Sequence, residues 1–124
     1  MNSVSLNLVV LRVPDIEEAA VFYSVLGLSF KKHAHGKGPE HYAAELGSSV
    51  FELYPQTADS GSTQGVRIGF QVSDAASVLR QLEHKGARIV SPLKDSEWGL
   101  RAVLGDPFGH RIELSQAKQL SPVE

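Results

Sequence analysis

Apolar residues along this chain fall into two successive sets with the same order. Residues 6–13 (L-N-L-V-V-L-R-V) are rich in aliphatic and β-branched side chains, which predicts a strand buried on both sides for much of its length. Pro14 and Asp15 end it. Asp15 is placed to cap a helix, with Glu17 and Glu18 in the first turn where the helix dipole favours negative charge. Ile16, Ala19, Ala20, Tyr23 and Leu26 then form an apolar stripe at helical spacing, closed by Gly27. A strand around residues 28–34 follows, then a Gly- and Pro-rich loop over 35–40. Residues 41–46 and 49–55, joined by Gly47-Ser48, read as a hairpin.

Residues 56–65 (Q-T-A-D-S-G-S-T-Q-G) hold no large apolar side chain and read as a linker, after which the pattern restarts. Residues 66–72 alternate as a strand. Asp74 caps a second helix with Ala75, Val78, Leu79 and Leu82 inward, and Gly86 ends it. A short strand at 88–90 is followed by a loop through Pro92 to Trp98-Gly99, and residues 100–104 and 110–115 form the last hairpin. Its turn, Asp106-Pro107-Phe108-Gly109, carries Asp first, Pro second and Gly fourth. The polar tail, 116–124, is expected to fray. Val13-Pro14-Asp15 returns 59 residues later as Val72-Ser73-Asp74, and Phe51-Glu52-Leu53 returns 61 residues later as Ile112-Glu113-Leu114. Matches at nearly one offset, at equivalent places in one element order, predict a duplicated βαβββ unit in an α+β fold. The expected organisation is one domain over 1–124: a first module at 5–55, a linker at 56–65, a second module at 66–116 and a tail at 117–124.

Composition narrows the function. A net charge of −2 gives no electrostatic footprint for nucleic acid or an anionic membrane. No apolar run is long enough to cross a bilayer, and the N-terminus shows no export signal, so a cytoplasmic location is the expectation. The chain has no cysteine, which excludes disulfides, thiolate metal sites and a Cys nucleophile.

Residues 8–28 (L-V-V-L-R-V-P-D-I-E-E-A-A-V-F-Y-S-V-L-G-L) and 98–114 (W-G-L-R-A-V-L-G-D-P-F-G-H-R-I-E-L) resemble the vicinal oxygen chelate superfamily of glyoxalase, bleomycin-resistance and dioxygenase proteins. The resemblance spans roughly residues 5–116. It implies two βαβββ modules whose sheets curl into an open cup. In metal-using members the cup holds a divalent ion on one side chain from the first and one from the last strand of each module. Those positions fall here on Leu8, Glu52, Arg67 and Glu113. Leu8 has no lone pair to give and Arg67 is a cation, so the pair of carboxylates makes a poor divalent site. No cofactor is predicted, and a divalent metal is disfavoured, with Glu52 and Glu113 its ligands if one binds.

Strand alternation puts Glu52 and Tyr54 on one face of their strand, and Arg67 on the face of its strand opposite Ile68 and Phe70. Glu52, Arg67 and Glu113 are therefore expected to line the cup, with Arg67 pairing one or both carboxylates and replacing the ion's charge. Leu8, His41, Tyr42, Tyr54, Trp98 and Arg101 are further candidates for contact with a small-molecule ligand. Trp98-Gly99 resembles the family's closing loop, and Trp98 reads equally as a lid or as a core plug. His33 and His35 share a strand face at i, i+2 spacing, which could hold a metal, but read first as solvated loop residues; His84 and His110 read as structural. Two functions follow. The first is a metal-independent binding protein for a small aromatic or drug-like molecule. The second is a lyase or isomerase of glyoxalase type, with Glu52 or Glu113 a general base of raised pKa. A metal-dependent dioxygenase ranks third. The resemblance further implies a homodimer.

Overall fold

The computed structural model describes residues 2–118; of the tail expected to fray, Gln116 and Ala117 instead extend the last strand, and the residues beyond Lys118 lie outside that range. The chain separates into two compact units that meet at Thr63 and Gln64, inside the polar segment. Each unit has the order strand, helix, strand, strand, strand.

In the first unit, β1 (Leu8–Val13), α1 (Ile16–Ser24), β2 (Lys31–His33), β3 (His41–Leu46) and β4 (Ser49–Pro55) build a four-stranded mixed sheet in the order β1-β4-β3-β2. β1 and β4 run parallel, with Val10 opposite Glu52, and β3 and β4 form the antiparallel hairpin. The core lies between α1 and one sheet face. Leu11, Val13, Ala44, Phe51 and Leu53 are buried there against Ala19, Phe22 and Tyr23 of the helix. Tyr23 meets Phe51 edge-on, with ring centroids 5.2 Å apart, a geometry the ring quadrupoles favour. Asp15 caps α1 as its position requires, accepting from the amides of Glu17 and Glu18 at 2.9 and 3.2 Å. The helix ends at Ser24, three residues before Gly27, whose φ of +98° turns the chain toward β2. β2 is only three residues long, shorter than the 28–34 stretch predicted for it.

In the second unit, β5 (Arg67–Gln71), α2 (Ala75–His84), β6 (Arg88–Ser96), β7 (Gly99–Gly105) and β8 (Arg111–Ala117) repeat the layout in the order β5-β8-β7-β6. Phe70, Ala102, Leu104, Ile112 and Leu114 form its buried face with Ala75, Leu79 and Leu82 of α2. Asp74 caps α2 through the Ser77 amide at 3.1 Å. His84 sits in the last turn of α2, suited to the helix dipole.

One element differs from its prediction. Residues 91–96 belong to a nine-residue strand, β6, although Pro92 and the polar residues after it read as a loop. β6 is the sheet's edge, and its pairing with β7 shifts register between Ile89 and Ser91 and again between Ser91 and Lys94. Proline lacks an amide proton, and edges with bulges are where strands tolerate it.

The Asp106–His110 turn is held by its own first residue. Oδ1 of Asp106 accepts from the amides of Phe108 and His110 at 2.9 and 2.8 Å, and Oδ2 lies 2.8 Å from His110 Nδ1. Both side chains are fully buried. Gly109 holds a φ of +101°, and a Cβ there would lie 2.6 Å from Gln64 Cγ. Among the described residues no helix is long and apolar enough to cross a membrane.

Candidate functional site

Each sheet turns one face to its helix, and the chemistry-bearing side chains sit on the other. In the second unit that face is organised around Glu113, at mid-β8 opposite Gly69 of β5 and Val103 of β7. Both its oxygens are taken by guanidinia. Arg67 donates through Nε and Nη2 to Oε2 at 3.2 and 3.0 Å, and Arg101 donates through Nε to Oε1. Arg101 first, and Arg67 second, hold the Glu113 carboxyl below the usual carboxylate range, against a partial desolvation that works the other way. The same contact raises Arg101. A general base needs the opposite shift, so the raised pKa expected of Glu113 is corrected: two cations at bonding distance outweigh its partial burial.

In the first unit, Glu52 stands at mid-β4, half-buried, with Oε2 3.7 Å from Nε2 of His41. His41 is 3 % exposed, further inside than the rim position predicted for it. Its ring lies flat on Tyr54, centroids 4.2 Å apart and planes within 7°. The Arg12 guanidinium covers the Tyr54 ring at 4.9 Å. His33 and His35 are drawn to the same place. The three histidine centroids lie 5.6 to 5.8 Å from one another; His35 is an exposed loop residue as expected, while His33 ends β2 and is part-buried. The i, i+2 spacing of His33 and His35 was the available signal; the pairing of His33 with His41 across β2 and β3 was not visible without the register. Lys31, His33, Ala43, Glu45 and Val50 border a hollow of about 730 Å³ beside this cluster.

Tyr42 goes to the other side. It is opposite Leu53, and its hydroxyl donates to Glu17 of α1, which Lys32 also pairs. Lys32 and then Tyr42 lower the Glu17 carboxyl, and Glu17 in return raises Tyr42 and Lys32. Tyr42 therefore does not share the face of Glu52 and His41, because strand alternation turns it toward the helix. Leu8 opens β1 opposite Val50 and is half exposed. Trp98 is 80 % exposed in the β6–β7 turn, which removes the core-plug reading.

The metal positions of the resembling family fit an ion poorly on donor chemistry. Leu8 offers no donor, Arg67 is a cation, and Glu113 has both oxygens committed to guanidinia. Among the described residues no group of three or more His, Asp or Glu side chains is arranged to hold a metal, the histidine cluster included.

Two βαβββ units, each a mixed four-stranded sheet with one helix, define an α+β protein of the glyoxalase and bleomycin-resistance type. A sequence profile of the Glyoxalase/Bleomycin resistance protein/Dioxygenase superfamily matches residues 5–114, and the chain belongs to that superfamily. It is 26 % identical over 112 residues to an uncharacterized protein of Mycolicibacterium smegmatis, covering 90 % of this chain and 93 % of the relative. Its fold matches TnmS3, an antibiotic binding protein from Streptomyces sp. CB03234, with a TM-score of 0.71 at 21 % identity over 95 % of this chain and 99 % of that one. A glyoxalase/bleomycin resistance protein/dioxygenase family enzyme from Burkholderia phytofirmans PsJN matches equally, with a TM-score of 0.71 at 19 % identity over 93 % and 100 % of the two chains.

Proposed function

We propose that the chain is a metal-independent small-molecule-binding protein, active as a homodimer. The observation that carries this reading is the clamp on Glu113. The carboxylate at the family's last-strand position is held by Arg67 and Arg101, and with both oxygens bonded to guanidinia it is poorly placed to take an ion. Within the first unit, the hollow beside His33, bordered by Ala43 and Val50, offers an apolar surface for an organic ligand. A structural neighbour named as an antibiotic binding protein fits the same reading. The test is elemental analysis after dialysis against nickel, zinc or manganese, alongside a thermal-shift screen of planar aromatics. The expected result is stabilisation by aromatics with no stoichiometric metal. Stoichiometric metal that is lost in Glu113→Ala would overturn the reading.

A second reading, a lyase or isomerase of glyoxalase type, rests on Glu52. Among the described residues it has no guanidinium partner, and it faces the buried His41. On that reading Glu52 is the general base, and turnover of a glutathione hemithioacetal would disappear in Glu52→Gln. Absence of turnover in the wild-type protein removes it.

A further inference from the structure

A single row of register crosses all four strands of the second sheet: Arg88 of β6 opposite Gly105 of β7, Gly105 opposite Arg111 of β8, and Arg111 opposite Arg67 of β5. Paired residues share a sheet face, so three arginines and a glycine stand in line on the face that carries Glu113. Gly105 is the gap in that line. A Cβ on it would lie 3.2 Å from Nη2 of Arg88 and 3.8 Å from Nη1 of Arg111. Gly105 is buried beneath the two guanidinia, which take the space a side chain would fill.

The partners available do not balance them. The one carboxylate bonded on this face, Glu113, has both oxygens bonded to Arg67 and Arg101. Among the described residues neither Arg88 nor Arg111 has a carboxylate within ion-pair distance, and Nη1 of Arg111 is buried with no hydrogen-bond partner at all. A buried guanidinium N–H without an acceptor is costly, and a second cation beside it adds repulsion. An oxyanion seated between them removes both costs at once, because guanidinium forks match carboxylate and phosphate oxygens.

We propose that Arg88, Gly105 and Arg111 form a binding site for the oxyanion group of a small molecule, a carboxylate or a phosphate, with Arg67 at its edge. Arg111 Nη1 and Arg88 Nη2 donate to the ligand's oxygens, and Gly105, with no side chain, leaves the exposed Arg88 room to turn and admit them. This deepens the ligand-binding reading by giving the ligand a negative charge, and it rests on that reading.

The test is titration of the ¹⁵N-labelled protein with sodium phosphate and, separately, with sodium benzoate, against sodium chloride at matched ionic strength. Phosphate reports a compact free anion; benzoate reports a carboxylate carried on an aromatic body. Saturable shifts of the Gly105 and Arg111 amides with either probe, and none with chloride, are the expected result. Arg111→Met should weaken that binding about tenfold or more, the loss of one charge-assisted donor. Gly105→Ala keeps every charge and needs no unusual backbone angle, so it tests the seat even if Arg111→Met fails to fold; it should weaken binding several-fold. Arg80→Gln, which removes the same charge from the exposed side of α2, should leave binding unchanged. Linear, unsaturable shifts with both probes, or equal loss in Arg80→Gln and Arg111→Met, would overturn the site. The outcomes separate from those of the parent reading: retained metal overturns the binding reading while an anion titration stands, and metal-free protein that binds aromatics but no anion overturns this site alone.

Discussion

The two units share a backbone and differ in what they place on the face away from the helix. Equivalent rows make the difference concrete. In the first unit Leu8 is opposite Val50, and Val50 is opposite Glu45. In the second the same places hold Arg67, Arg111 and Gly105, with Arg88 beyond. One row is two aliphatics and a carboxylate; the other is three guanidinia around a missing side chain. The mid-strand carboxylates diverge as well. Glu52 faces a buried histidine, and Glu113 is locked between two arginines. The helix-facing positions of the two halves match in kind, Phe51 and Leu53 against Ile112 and Leu114, because both must fill a core. Positions turned the other way carry no such constraint, and it is there that one unit became aromatic and histidine-rich while the other became cationic.

The hairpin turns give the largest expected contrast. The first unit joins β3 to β4 through Gly47-Ser48, with Gly47 at a φ of +61° and nothing near its absent Cβ. The second uses the Asp106–His110 turn with its buried carboxylate. Asp106→Ala removes the acceptor of two buried amides and a buried partner of the His110 ring, and should cost about 3 kcal/mol in urea unfolding. Gly47→Ala, which only forces a left-handed backbone on alanine, should cost about 1 kcal/mol. Equal costs would mean that the buried turn is no more stringent than the tight one.

What the sequence disclosed, and what it withheld, follows from the same asymmetry between faces. The duplicated unit was legible because buried strands and capped helices leave periodic marks: Asp15 and Asp74 cap as expected, and the β3–β4 hairpin spans the predicted residues. β6 was not, since a proline reads as a break until the strand is known to be a bulged edge. Arg67 and Glu113 could be brought together by equivalence to a known family. Arg88, Gly105 and Arg111 could not, because their meeting depends on a register running across three strands, two of them close in sequence and one not. Tyr42 was misplaced for the smallest reason, a one-residue alternation that sends it to Glu17.

The stacked column of the first unit gives a middle-sized test. Tyr54 lies between the Arg12 guanidinium and the His41 ring, whereas the equivalent residue of the second unit is Ser115, opposite Arg101 on β7. Tyr54→Leu keeps apolar bulk but removes the stacking and cation–π contacts, and should destabilise by about 1 kcal/mol. Ser115→Ala should stay within about 0.5 kcal/mol of wild type. A neutral Tyr54→Leu would show that the column is held together by the backbone alone.

The smallest effect is the one with the most specific signature. Glu113 titrates below an ordinary glutamate because Arg101, and then Arg67, bond its charged form. A carboxyl group whose folded pKa is lowered adds stability that is fully present above its unfolded pKa, about 4.3 for a glutamate, and that disappears as pH falls through the folded value. Both arginines are about half exposed, so solvent screening keeps the gain under about 1 kcal/mol. The stability gap between wild type and Glu113→Gln should therefore be small at neutral pH and vanish below the folded pKa. Carboxyl ¹³C titration reads the cause directly. Arg101→Gln should move the Glu113 midpoint upward further than Arg67→Gln does, in the order of their contributions. A midpoint unmoved by either change would mean that the clamp does not hold in solution; Glu113 would then be free to serve Arg111, its neighbour two residues away on β8, and the second unit's cationic row would no longer lack a counter-charge.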